Sequence, residues 1–158
     1  MSIRHFKFKY VLPLIAILFL WSCGDVSAPP GSTITIDPPS LSIVSVIDEN
    51  GNSPVKNSTQ YYTVTVVDKD GNPVGDVKLA ISFVWASPNP YNLVQLYKGD
   101  VPVASPFEAT TDEFGSYKFR LDFISGEQYE YTGDLEVRSG AAFAASTLDV
   151  TVGTATTP

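Results

Sequence analysis

Histidine is nearly absent: the 158-residue chain has one, His5, and it has one cysteine, Cys23. His5 falls within residues 1–22, which read as a removable leader, so the chain that remains has no histidine. Neither a Ser-His-Asp nor a Cys-His catalytic arrangement can form there, and no His-containing zinc site can either. A lone cysteine excludes an internal disulfide, so the fold must rest on its apolar core. Basic side chains are scarce too. Three of the ten, Arg4, Lys7 and Lys9, belong to the leader, which leaves 7 against 17 acidic groups, a net charge of −10. Such a chain has no basic stripe to displace phosphate counterions, and nucleic acid is excluded as a partner. The Gly-rich phosphate loop, the Cys-x-x-Cys pair and the Gly-x-Ser-x-Gly elbow are all missing. Together these absences predict no enzyme, no cofactor and no metal site.

What is present begins with the leader. Residues 1–9 are short and basic, and the next twelve, YVLPLIAILFLW, are apolar apart from Pro13. A spanning helix needs roughly 18–20 apolar residues, so this run is too short to cross a bilayer and reads as a secretory signal. Leu20-Trp21-Ser22-Cys23 resembles the lipobox of bacterial lipoproteins. The resemblance implies a diacylglyceryl group on the Cys23 thiol, cleavage before Cys23 and acylation of the new amino terminus, which would tie the protein to a membrane. In that family an Asp after the cysteine tends to hold the protein in the inner membrane. Here the residue is Gly24, so the resemblance implies the outer membrane. The stretch that follows, GDVSAPPGS, has no apolar periodicity and reads as a linker. Extended at about 3 Å per residue, it would hold a domain about 25–30 Å from the lipid surface. The expected organisation is a signal peptide over 1–22, a lipidated cysteine and flexible tether over 23–32, a domain over 33–153, and a tail over 154–158.

The domain has period 2 throughout. Tyr117, Phe119, Leu121 and Phe123 alternate with Ser116, Lys118, Arg120 and Asp122. Val77, Leu79, Ile81, Phe83 and Trp85 form a second run, Tyr62, Val64 and Val66 a third, Leu148, Val150 and Val152 a fourth, and Leu135 and Val137 a short fifth. Clean alternation buries one face of each strand and wets the other, as antiparallel sheets do. Seven or eight such strands predict an all-β, immunoglobulin-like antiparallel β-sandwich. Leu41 and Ile43 lie on one phase and Val44 and Val46 on the other, which predicts a bulge or a change of sheet near Ile43.

Turn chemistry carries a second resemblance. Val66-Val67-Asp68-Lys69-Asp70-Gly71-Asn72-Pro73-Val74 separates two strands, and Thr110-Thr111-Asp112-Glu113-Phe114-Gly115-Ser116-Tyr117 leads into another. Together with Gly133-Asp134-Leu135-Glu136-Val137 near the end, these segments resemble the bacterial immunoglobulin-like domains of intimin- and invasin-type surface proteins. The resemblance implies a surface or envelope domain with a binding, adhesive or structural role. An upstream echo, Asp48-Glu49-Asn50-Gly51-Asn52, reads as a second hairpin turn of the same kind.

Candidate chemistry is thin. Asp68, Asp70, Asn72 and Asp76 offer oxygens for calcium, but the spacing does not fit an EF-hand loop, and Asp, Asn and Gly are also what a tight turn demands. Asp48-Glu49 and Asp112-Glu113 are adjacent carboxylates in turns, where neighbours seldom face one site. Trp85 continues an apolar phase and reads as core. A protein or glycan partner is the remaining expectation. Residues 87–106 form a long connection stiffened by prolines, and within it Leu93 to Tyr97 and Val101 to Ala104 suggest a hairpin. Tyr91 and Tyr97 on that segment are the candidate partner contacts. A carbohydrate-binding module would show exposed tyrosines in a row, drawn from Tyr91, Tyr97, Tyr129 and Tyr131. A subunit of a surface filament or secretion assembly would instead show a long uncharged strand edge.

Overall fold

A computed structural model describes residues 26–48, 50–86, 92–126 and 129–153. The leader, Cys23, Tyr91 and the tail lie outside the described residues. Within them ten strands form: β1 (Thr33–Asp37), β2 (Ser40–Val46), β3 (Lys56–Val67), β4 (Lys78–Trp85), β5 (Val94–Lys98), β6 (Val101–Val103), β7 (Phe107–Thr110), β8 (Ser116–Ser125), β9 (Tyr131–Ser139) and β10 (Ala142–Gly153). They make two five-stranded sheets, β1-β3-β8-β5-β6 (sheet A) and β2-β10-β9-β4-β7 (sheet B), packed as an immunoglobulin-like sandwich. The count exceeds the expected eight partly because β6 and β7, with 3 and 4 residues, are too short to show a period.

The alternating runs place the core where their phase required. Tyr62, Val64 and Val66 from β3, Leu79, Ile81 and Phe83 from β4, Phe119, Leu121 and Phe123 from β8, Leu135 and Val137 from β9, and Leu148 and Val150 from β10 are all buried. Trp85 is half-buried, edge-on to Phe83 at 4.9 Å and to Tyr131 at 5.5 Å. At about 25 cal/mol per Å² of apolar surface removed from water, a core of this kind stabilises the fold without any cross-link.

The sandwich is antiparallel with one exception. β2 runs parallel to β10, with Leu41 opposite Leu148 and Ile43 opposite Val150. The cause lies at Pro38 and Pro39. Two prolines cannot donate to a ladder, so β1 ends at Asp37 and the chain crosses to sheet B while still travelling in the same direction. The change of sheet therefore sits at these prolines and not near Ile43. β2 itself is regular: Leu41, Ile43 and Ser45 turn inward, while Val44 and Val46 are 59% and 67% exposed. Ser45 can occupy the inward phase because its Oγ accepts the Gly126 N–H at 3.0 Å.

Three five-residue turns share one geometry. In each, the Asp Oδ1 accepts two backbone N–H groups: Asp48 from Asn50 and Asn52, Asp68 from Asp70 and Asn72, and Asp112 from Phe114 and Ser116. The glycine three residues on donates to the Asp carbonyl in every case. The first two were expected to be hairpin turns, and the Asp68 turn does pair Val67 with Pro73 locally, but none of the three joins two strands of one sheet. β2 and β3, β3 and β4, and β7 and β8 belong to opposite sheets, so each turn carries the chain across the sandwich. The second and third pack together at one end. Gly115 has φ +70°, and a Cβ there would lie 2.6 Å from the Val66 carbonyl oxygen. Gly115→Ala is expected to cost at least about 1–2 kcal/mol from the left-handed backbone alone, measured by urea unfolding. Thr111 clasps the same end: its Oγ1 accepts from Val77 N at 3.0 Å and donates to Val74 O at 3.1 Å.

Two segments read as connections prove to be structured. Residues 92–106 hold the anticipated hairpin, with β5 and β6 paired about Gly99 and Asp100 and β5 added to β8. Residues 26–32, expected to be flexible linker, lie docked on the domain. The Val26 carbonyl accepts Lys78 N–H at 2.9 Å, and the Ala28 N–H donates to Ser139 Oγ at 2.9 Å. Ala28 is buried, and Ser139 Oγ donates in turn to Lys78 O at 2.6 Å.

Candidate functional face on sheet A

Strand alternation that sends Tyr62, Leu96 and Leu121 inward necessarily sends their neighbours outward. In register, Tyr61 on β3 lies opposite Arg120 on β8, Arg120 opposite Tyr97 on β5, and Tyr97 opposite Pro102 on β6. The next row is Thr59, Asp122 and Gln95. Side chains from four strands thus meet on one outer surface, two of them aromatic and most of the rest planar and polar.

Arg120 organises the face. Its guanidinium carbon stands 3.9 Å from the Tyr97 ring centroid. Its Nε is 3.2 Å from Asp122 Oδ1, and its Nη1 is 3.4 Å from Asp100 Oδ1. Asp122 Oδ1 also accepts from Thr59 Oγ1 at 2.8 Å. Gln95 spends its amide nitrogen on the Leu96 and Val103 carbonyls, each at 2.8 Å. Desolvation works against the Arg120 charge, but Asp122 and the hydroxyls of Tyr97 and Tyr61 outweigh it and hold its pKa above the ordinary value. Individually an exposed ion pair or cation–π contact is worth about 1 kcal/mol or less. Here they share one guanidinium, so the combined effect is to fix side-chain positions. Tyr61 remains 67% exposed. Beside the row, Asn57, Thr59, Asn92, Gln95, Tyr97 and Ile124 line a shallow groove of about 260 Å³. That is below the usual range for an enclosing ligand pocket.

Of the tyrosines singled out from sequence, Tyr97 stands on this face and Tyr91 lies outside the described residues. Tyr131 is buried, because it shares the inward phase of Leu135 and Val137. Burial raises its pKa, and its hydroxyl donates to Ile124 O at 2.6 Å. Tyr129 packs half-buried against the core. Neither can join an exposed row. Tyr61, Arg120 and Asp122 were missed; the available signal was an aromatic on the polar phase of an alternating strand. At the other candidate, Asp68 is committed to its own turn. Hydrogen bonds from the Asn72 side chain, then from the Asn72 backbone, keep its carboxyl below the usual range, and Asp70 pairs with Lys69 at 2.8 Å. Among the described residues no group of three acidic, histidine or cysteine side chains is placed to hold a metal ion. Among them no helix is long and apolar enough to cross a membrane.

No known protein family and no curated protein matches the sequence. Solved structures do resemble the fold. The adhesin InvE of Yersinia pseudotuberculosis superimposes with a TM-score of 0.51 at 16% identity, over 79% of this chain and 33% of the adhesin. A conjugative transposon lipoprotein from Bacteroides eggerthii aligns with a TM-score of 0.41 at 11% identity, over 77% of this chain and 95% of that one. WR4, an MSP family member of C. elegans, gives 0.42 at 11% identity, over 75% and 97%. The chain spans a third of the adhesin's length, and the likeness to it is one of fold: an immunoglobulin-like β-sandwich.

Proposed function

We propose that this chain is a lipid-anchored protein of the cell envelope, in the outer membrane, whose immunoglobulin-like domain binds a glycan without transforming it. The observation that carries the reading is the row Tyr61, Arg120, Tyr97 on the outer face of sheet A. Sugar rings present apolar C–H faces and hydroxyl edges. Tyrosine rings suit the former, and planar amides, guanidinium and carboxylate suit the latter. Arg120 is already paired with both Asp122 and Asp100, which leaves the three groups with one net negative charge and no unmatched cation, so a neutral, hydroxyl-rich ligand fits better than an anion. Positions already fixed lose little entropy on binding. A chain without histidine beyond its leader cannot run a His-dependent hydrolysis.

Tyr61→Ala and Tyr97→Ala are each expected to weaken retention on envelope polysaccharide by up to about tenfold, with melting temperature little changed. Retention is read by affinity electrophoresis and stability by thermal unfolding. A second reading rests on β2, a seven-residue sheet edge that carries neither charge nor proline and exposes Val44 and Val46. Such an edge can accept a partner strand. Unchanged retention in both tyrosine variants, with self-association abolished by Val44→Lys, would favour assembly over glycan binding.

A further inference from the structure

The docked segment changes where the domain stands relative to its anchor. Val26 is held to Lys78 and Ala28 to Ser139, and Gly31 packs against Lys69 with only 3.5 Å between that side chain's Cβ and where a glycine Cβ would be. Three Cα-to-Cα steps, through Gly24 and Asp25, therefore separate Cys23 from a fixed point on the sandwich. Fully extended, they reach at most about 10–11 Å. The spacer of 25–30 Å anticipated from the linker's composition is not available.

That fixed point marks one end of the molecule. β4 starts there at Lys78, β3 and β9 finish there, and the turns at Asp68 and Asp112 pack together there. At the tip of the Asp112 turn is Phe114, 69% exposed, and Val26 beside the anchor is 56% exposed. An exposed aromatic within reach of a lipid anchor matches the headgroup boundary, where rings partition well. Asp68, Asp70, Asp76, Asp112 and Glu113 outnumber Lys69, Lys78 and Arg138 at this end, so an anionic surface would repel it; a zwitterionic one would not.

We propose that the Asp68 and Asp112 turns form a membrane-facing end, with Phe114 seated among zwitterionic headgroups of the bilayer that holds Cys23. The proposal rests on lipidation of Cys23. It stands the strands along the bilayer normal and puts the groove by Asn57 and Ile124, at the far ends of β3 and β8, in the distal half.

In the lipidated protein the only native thiol is blocked, so one introduced cysteine can carry a nitroxide. Phe114→Cys and Asn50→Cys, on the Asp48 turn at the opposite end, are labelled in the full protein and reconstituted into phosphatidylethanolamine–phosphatidylcholine vesicles. Power saturation is then compared with oxygen and with a water-soluble nickel complex. The expected result is lipid-side accessibility at 114 and aqueous accessibility at 50. Vesicles that float with the protein while both labels report water would overturn the orientation and leave the anchor standing. Protein that does not float would remove both.

Discussion

Phe119→Ala is expected to cost about 3–5 kcal/mol, a large part of the stability of a domain this size. Phe119 is buried on β8 at the centre of an aromatic cluster, stacked on Tyr62 at 5.6 Å and near-parallel to Tyr117 at 6.2 Å, with Phe107 edge-on at 6.0 Å. These rings come from three strands in both sheets, so a cavity there cannot close by moving one strand. Lys118, next along the chain, points to solvent, and Lys118→Ala should change stability by less than about 0.5 kcal/mol. Urea unfolding of both variants checks the contrast. Equal losses would mean that the faces of β8 have been assigned wrongly.

Cys23→Ser is expected to move the protein from the membrane to the soluble fraction. Two or more acyl chains anchor stably, at about 0.8 kcal/mol per buried methylene, and serine offers no thiol for the thioether. Fractionation with and without detergent reads the effect. Release of the unaltered protein by high salt alone would show that ionic attraction held it, because salt screens charges but does not extract acyl chains.

The strands were legible because alternation survives wherever one face of a sheet is wet. Phe119, Leu121 and Phe123 state their own side. The crossing at Pro38 was less legible, because the apolar pattern of β2 misleads: Val44 and Val46 are apolar yet exposed, and Ser45 is polar yet buried. Serines on inward phases turn out to be the sites where a connection docks. Ser45 receives Gly126, Ser139 receives Ala28, and Ser146 donates to the Pro38 carbonyl at 2.8 Å. Such partners are 81, 111 and 108 residues apart in sequence, and no local pattern announces them. For the same reason residues 26–32 looked like linker. Tyr97 was visible from its place on the long, proline-stiffened segment; its alignment with Arg120 and Tyr61 depends on cross-strand register.

A proton–nitrogen NMR titration of the labelled protein with envelope polysaccharide fragments locates the contact surface that the proposed function puts on the outer face of sheet A. Shifts are expected at Tyr61, Gln95, Tyr97, Arg120 and Asp122, spreading to Asn57 along the groove. Shifts confined to β2 and β10, or to the outward residues Ala80 and Val84 of β4 on sheet B, would contradict it.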